Sequence, residues 1–268
     1  MNDLTQLWKY YDESSDLRFM LKVKEMLDTE SIVEISGHYE DPFESKLREF
    51  DCIADLGKCK IKLINDEYNF SSVKLCVEVK NISIHSPLIV GCINREGFRV
   101  AFSRRRSNAN SCYVHWGISE FQLEKSRSFL MHCGNNLMNL IGVELLQCTK
   151  YSSNGDLGTN YRKTKDGDLF SKWSQCVNNS FNQYKLLEKI SSGQSEENYY
   201  VAPILVVPDN TLFIAVHGSG QPELKPANCI PYKVGIKRPL GAGECEISCF
   251  YIVTISGLGQ FVSALRDR

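Results

Sequence analysis

Asp51, Glu78 and Lys80 are the residues whose types and spacing point most directly to chemistry. Glu78 and Lys80 stand two apart in Val73-Lys-Leu-Cys-Val-Glu-Val-Lys80, where Val73, Leu75, Val77 and Val79 alternate with Lys74, Cys76, Glu78 and Lys80. Strict alternation predicts a strand with Glu78 and Lys80 on one face. Asp51 lies in a second predicted strand, Leu47 to Leu56. If the two strands pair, Asp51 and Glu78 approach and chelate one divalent ion. Hard oxygen ligands with water left in the shell suit Mg²⁺ or Mn²⁺. Such an ion polarises a phosphate oxygen and acidifies bound water. Lys80, beside that water, orients it or neutralises charge as attack proceeds. Metal ligands, an activated water and a nearby cation are what phosphodiester hydrolysis requires.

These residues need a scaffold, and the pattern of the chain predicts one. Residues 14–29 read as a helix, with Ser14, Ser15 and Asp16 as N-cap choices and Leu17, Met20, Leu21, Lys24 and Leu27 at helical spacing. Strands are expected at 31–35, 47–56 and 73–80, with a turn at 37–44 marked by Asp41-Pro42 and a break at Gly57. Asp51 and Glu78 are twenty-seven positions apart, which implies an extra hairpin within 58–70. Pro87 to Cys92 is a further apolar run, and 98–102 a short strand. Residues 119–146 read as a helix, 151–168 as an exposed loop, and 169–190 as a helix. Strands follow at 202–207 and 211–216, joined by Pro208-Asp209-Asn210 as a hairpin-like turn. A strand at 246–255 and a short helix from Leu258 complete the order. The expectation is an α/β fold with a mixed central β-sheet flanked by helices.

Arg48-Glu49-Phe50-Asp51, followed by Cys76-Val77-Glu78-Val79-Lys80-Asn81, resembles the PD-(D/E)XK nuclease superfamily, also called restriction-endonuclease-like. In that superfamily an acid opens the second core strand, an acid-x-Lys triplet sits on the third, and a preceding helix often adds another acid. The resemblance covers residues 14–100 best. The helix at 169–190 and the phrase Val201-Ala-Pro-Ile-Leu-Val-Val207 suit the second half of such a core. What the resemblance implies is one nuclease-like domain over 1–268, with core motifs in 14–100, the second half of the core in 169–268 and a variable insertion around 103–168. It implies a Mg²⁺- or Mn²⁺-dependent endonuclease acting on DNA, able to work as a homodimer, in restriction or antiphage defence. Catalysis would fall to Asp51, Glu78 and Lys80, with Asp51 and Glu78 on the metal. Glu25 is the candidate additional acid, with Asp16 and Glu34 as rivals; Glu49 faces with Asp51.

Plainer readings stand beside these. Glu78 and Lys80 also fit a solvated strand face, with Asp51 near them by chance. Arg104, Arg105 and Arg106, with the Lys and Arg residues of 150–172, suit phosphate contacts or merely a solvated loop. Gln175, Asn179 and Gln183 recur every four residues; the ridge suits nucleic-acid contact or the wet side of the helix. A formal net charge of −1 argues against coating nucleic acid by charge alone, while 43% hydrophobic and 24% charged residues fit a soluble globular chain. No apolar stretch reaches the ~18–20 residues that span a bilayer, and the polar N-terminus is unlike a secretory signal. A cytoplasmic protein is expected. The eleven cysteines contain no C-x-x-C and read as free, mostly buried thiols. The five histidines show no metal spacing, although His85 follows the Glu-Val-Lys strand closely. Two rival functions remain: an inactive restriction-endonuclease-like subunit serving as a nucleic-acid- or protein-interaction module, and an unrelated α/β enzyme or ligand-binding protein whose acids are incidental.

Overall fold

The computed structural model describes residues 3–29, 31–41, 46–62, 68–94, 140–151, 160–163, 167–191, 198–216, 223–240 and 243–266. In chain order these form α1 (Asp3–Ser14), α2 (Asp16–Asp28), β1 (Ile32–Glu40), β2 (Leu47–Lys62), β3 (Tyr68–Val79), β4 (Leu88–Asn94), β5 (Leu140–Tyr151) and β6 (Asn160–Lys163). Then follow α3 (Gly167–Ser191), β7 (Asn198–Val207), β8 (Leu212–Val216), β9 (Glu223–Pro226), β10 (Cys229–Leu240), β11 (Gly243–Thr254) and α4 (Ile255–Arg266).

Ser15 starts α2, its hydroxyl accepting the Arg18 N–H at 3.2 Å. Phe19, Met20, Val23 and Leu27 bury the helix's inner face. β1, β2 and β3 form an antiparallel meander, and β7 adds to β3 in parallel over nine residue pairs, Ser71↔Asn198 to Val79↔Val206. The helix before β7 is α3, which packs on β3 and β7. On β3, Val73, Leu75, Val77 and Val79 are each at most 1% exposed, so the face opposite Cys76 and Glu78 is covered as well. α2 and α4 touch each other and supply that second layer against β2, β3 and β7. The architecture is a mixed sheet with helices on it, as the alternation predicts.

The full strand order is β1-β2-β3-β7-β11-β10-β5-β4-β8-β9, with β6 paired to β5. β7 and β8 are five positions apart in that order. In a flat sheet this is about 24 Å, at ~4.8 Å per strand. The linker 208–211 reaches at most about 18 Å. The sheet therefore curls on itself. β10 meets β5 through one pair, Tyr232↔Gly142. A Cβ on Gly142 would run into the side chains of Val90 and Tyr232, so glycine lets the two halves close.

Several expectations change. The predicted hairpin of 202–207 with 211–216 does not form; Asn210 turns the chain at φ 63, but β8 pairs with β4 and β9. The end of the predicted helix 119–146 is strand β5, because Leu140, Ile141 and their neighbours find partners on β4; residues 119–139 lie outside the described ones. Gly57 does not end its strand. It sits at φ 67 in a bulge, its N–H held by Asp55 Oδ1 at 2.8 Å, and β2 continues to Lys62. The arms of the expected hairpin do pair, as the outer end of the β2–β3 ladder, Lys58↔Ser72 to Lys62↔Tyr68. β1 runs through the predicted turn as far as Glu40, and the loop 151–168 contains β6. The predicted strand at 98–102 lies outside the described residues. β10 has no counterpart in the prediction, because Pro231, Gly235 and Pro239 hide it; Gly235 at φ 61 absorbs a register shift against β11.

Candidate active site

The β2–β3 register sets the geometry. Cys52 pairs with Val77, and the next position along the ladder brings Asp51 opposite Glu78. The two strands pair, as the metal hypothesis requires. Beyond Cys52 the ladder gives way to a side chain: Asp51 Oδ2 accepts the Val79 N–H at 2.8 Å. The Lys80 N–H turns to the other neighbour and donates to Val206 O at 2.9 Å.

The cation on this pair is Lys172, in the second turn of α3. Its Nζ lies 2.9 Å from Asp51 Oδ2, 3.2 Å from Asp51 Oδ1 and 3.4 Å from Glu78 Oε2. Asp51 Oδ2 and Glu78 Oε2 thus both lie within 3.4 Å of one nitrogen. Lys80 shares Glu78's side of the strand by alternation, but it stands one residue past the end of β3. Sequence reasoning missed Lys172, grouping it with the basic residues of a loop. The available signal was helical spacing: Lys172 lies three and four residues before Gln175 and Cys176, on the inward side of a helix expected at 169–190.

Burial sharpens the electrostatics. Glu78 is 1% exposed, whereas the side chains of Asp51 and Lys172 are 21% and 23% exposed. Desolvation, followed by the neighbouring charge of Asp51, pushes the Glu78 carboxyl up to about 9; Lys172 pulls it back in part. At Lys172 burial opposes the charge, but Asp51 and then Glu78 outweigh it and the ammonium's pKa rises. Glu78 therefore holds its proton tightly, and Lys172 stays charged.

The other predicted site residues fall apart from this centre. Glu25 is exposed on α2 and acts through charge on Arg18. Asp16 is exposed and accepts the Asn81 N–H at 2.9 Å, docking α2 on the end of β3. Glu34 is exposed. Glu49 is 80% exposed and lies 3.3 Å from His38 Nε2. His85 is exposed in the turn after β3. The expected wet ridge on α3 is corrected: Asn179 is 0% and Gln183 6% exposed, because this side of the helix packs on the sheet. Arg104, Arg105 and Arg106 lie outside the described residues.

Two carboxylates, one exposed enough to meet solvent and one with an unpartnered buried Oε1, form a hard-oxygen pair of the kind that takes Mg²⁺ or Mn²⁺. The donor set fits such an ion, as a pair; no group of three or more His, Cys, Asp or Glu side chains is poised on a metal among the described residues. The described cysteines are free, and Cys76 and Cys176 beside Glu78 are buried thiols with raised pKa, the first at about 12 through desolvation. No helix among the described residues is long and apolar enough to cross a membrane. No family model matches the chain, and no curated protein or solved structure matches it.

Proposed function

We propose that this chain is a metal-dependent nuclease that hydrolyses phosphodiester bonds in DNA on a restriction-endonuclease-like core. The observation that carries the proposal is the meeting of Asp51 and Glu78, from paired strands, on the single nitrogen of Lys172. The run α2-β1-β2-β3, later followed by α3 and a β7 parallel to β3, supports it. An acid on the second strand, an acid on the third and a helix leading into a strand parallel to the third are the features that support the reading.

Asp51 and Glu78 would hold Mg²⁺ or Mn²⁺. Bound there, the ion would supply Lewis acidity and a more acidic water. The remaining roles belong to the chain. Asp51 is held from behind by the Val79 amide, so its carboxylate is oriented before any ligand arrives. Glu78, walled in by β3 and α3, must release its proton to act as a ligand. Lys172 keeps its charge and is positioned to neutralise the negative charge that grows on a phosphate during attack. Lys80, on Glu78's side of the strand by alternation, would be a second cation. A homodimer would present two such sites to two strands, and restriction or antiphage defence is the setting proposed for the activity.

One observation favours a second reading. Lys172 already compensates Asp51 and Glu78 within the chain, so the triad is also stable as an internal ion network. A non-catalytic interaction module on the same core would keep it. Incubating plasmid and single-stranded DNA with Mg²⁺ or Mn²⁺, using wild type and Glu78→Gln, separates the readings. Cleavage that depends on the ion and is lost in Glu78→Gln is expected. DNA retention without cleavage would favour the module, and cleavage untouched by Glu78→Gln would sink the assigned site.

A further inference from the structure

Four buried polar atoms of residues on α3 and β3 have no hydrogen-bond partner among the described residues: Glu78 Oε1, Gln175 Oε1, and both Oδ1 and Nδ2 of Asn179. Glu78 is 1% and Asn179 0% exposed. Buried polar groups are almost always paired, with protein or with ordered water. Because both ends of the Asn179 amide are unpaired, exchanging its O and N changes nothing.

The four atoms belong to one neighbourhood. Lys172 touches Glu78, and Cys176 lies near enough that the charge of Glu78, second to burial, raises its thiol. Gln175 stands between these two on α3. Asn179 is one turn further on the same face. Its neighbour Ser180 interacts with Cys76, one pleat away from Glu78, and so partly offsets the effect of burial on that thiol. The row therefore leads from the acid pair inward along the helix.

The chemistry of the row selects its occupant. Three of the atoms are oxygens that accept, and one is an amide N–H₂ that only donates. A metal ion would serve the oxygens and leave the donor unsatisfied. Water can donate to the oxygens and accept from the amide, and a buried water with two to four polar partners is a common structural unit.

We propose that α3 and β3 enclose an ordered-water site bounded by Glu78 Oε1, Gln175 Oε1 and the Asn179 amide, which makes Gln175 and Asn179 positioning residues for Glu78. The water holds Oε1 inward and leaves Oε2 directed at Asp51 and Lys172. The positioning half of this inference rests on Glu78 being a metal ligand; the water site does not.

The test uses the full chain. In the ¹⁵N-labelled protein, the Asn179 side-chain amide is expected to show a cross-relaxation peak to long-lived water. No such peak at Asn179 would overturn the site. Mn²⁺ titration then reads the positioning role. Asn179→Leu and Gln175→Leu are expected to lower Mn²⁺ affinity about 10–100-fold, the usual effect of losing a group that orients a ligand. Asn179→Ser, which keeps a hydroxyl and room for water, should retain most of it. Wild-type affinity in either folded leucine variant would overturn the positioning role, and Gln175→Leu, at a less buried position, carries the test if Asn179→Leu does not fold. A water peak in a wild type that binds no Mn²⁺ would uphold the water site and overturn the reading of Glu78 as a ligand.

Discussion

Lys172 Nζ lies 2.9 Å from Asp51 Oδ2, a contact that closes 121 residues of chain. The helix before β7 thereby brings a cation to the acid pair, where the acid-x-Lys triplet was expected to bring Lys80 from β3. Asp51 and Lys172 are each about one-fifth exposed, so the pair is reachable from solvent while Glu78 beside it is not.

The first prediction concerns which lysine matters. Lys172→Ala should lower metal-dependent DNA cleavage on the order of a hundredfold or more, the range for removing a group that stabilises charge in the transition state. Lys80→Ala should cost less. Single-turnover rates on one plasmid substrate compare the two. A larger loss in Lys80→Ala would return the role to the triplet.

Stability should depend on pH through Glu78. Its carboxyl is raised from an ordinary 4.5 to about 9, chiefly by desolvation. The folded state therefore binds more protons than the unfolded state between these values. The stabilisation is complete below about 4.5 and is lost as pH rises through about 9. Urea unfolding without metal should show a wild type that weakens from pH 5.5 to pH 8.5 and a Glu78→Gln variant that weakens less. Equal slopes in the two proteins would contradict the assignment.

Metal binding should release a proton. At pH 7 Glu78 holds the proton that a ligand must shed, so Mn²⁺ binding is expected to expel about one and to tighten as pH rises. Calorimetric titrations in buffers of different ionisation enthalpy measure this directly. An enthalpy independent of the buffer would count against it, as would unchanged binding in Asp51→Asn.

A fourth prediction tests the layer opposite α3. A Cβ on Gly257 would fall on the carbonyl oxygen of Asn228. That oxygen cannot withdraw easily, because it accepts the Thr254 N–H at 2.9 Å. Gly257→Ala should destabilise the fold by about 1–3 kcal/mol, the usual range for overpacking. A lower urea midpoint with an unchanged slope is expected; a midpoint equal to wild type would show that α4 can shift at no cost.

Local pattern was enough for part of this protein. The two-residue period of 73–79 placed Glu78 on a strand, and the 3.6-residue period marked α2 and α3, because periodicity is written in neighbouring residues. Asp51 and Glu78 were legible as strand residues for the same reason, although both strands extend beyond the pattern that marks them. The rest depended on distant chain. A lysine on a helix looks solvated until the strands beneath it are known, and Lys172 is 94 positions from Glu78 and 121 from Asp51. Gln175, Asn179 and Gln183 looked wet because polar spacing cannot say which side of a helix is covered. Leu140 to Leu146 suited a helix until β4 offered it a ladder. The sequence by itself determined which acids are candidates for chemistry; only the tertiary structure decided which cation pairs with them and which amides of α3 are buried, because burial and pairing are properties of contacts that no local period encodes.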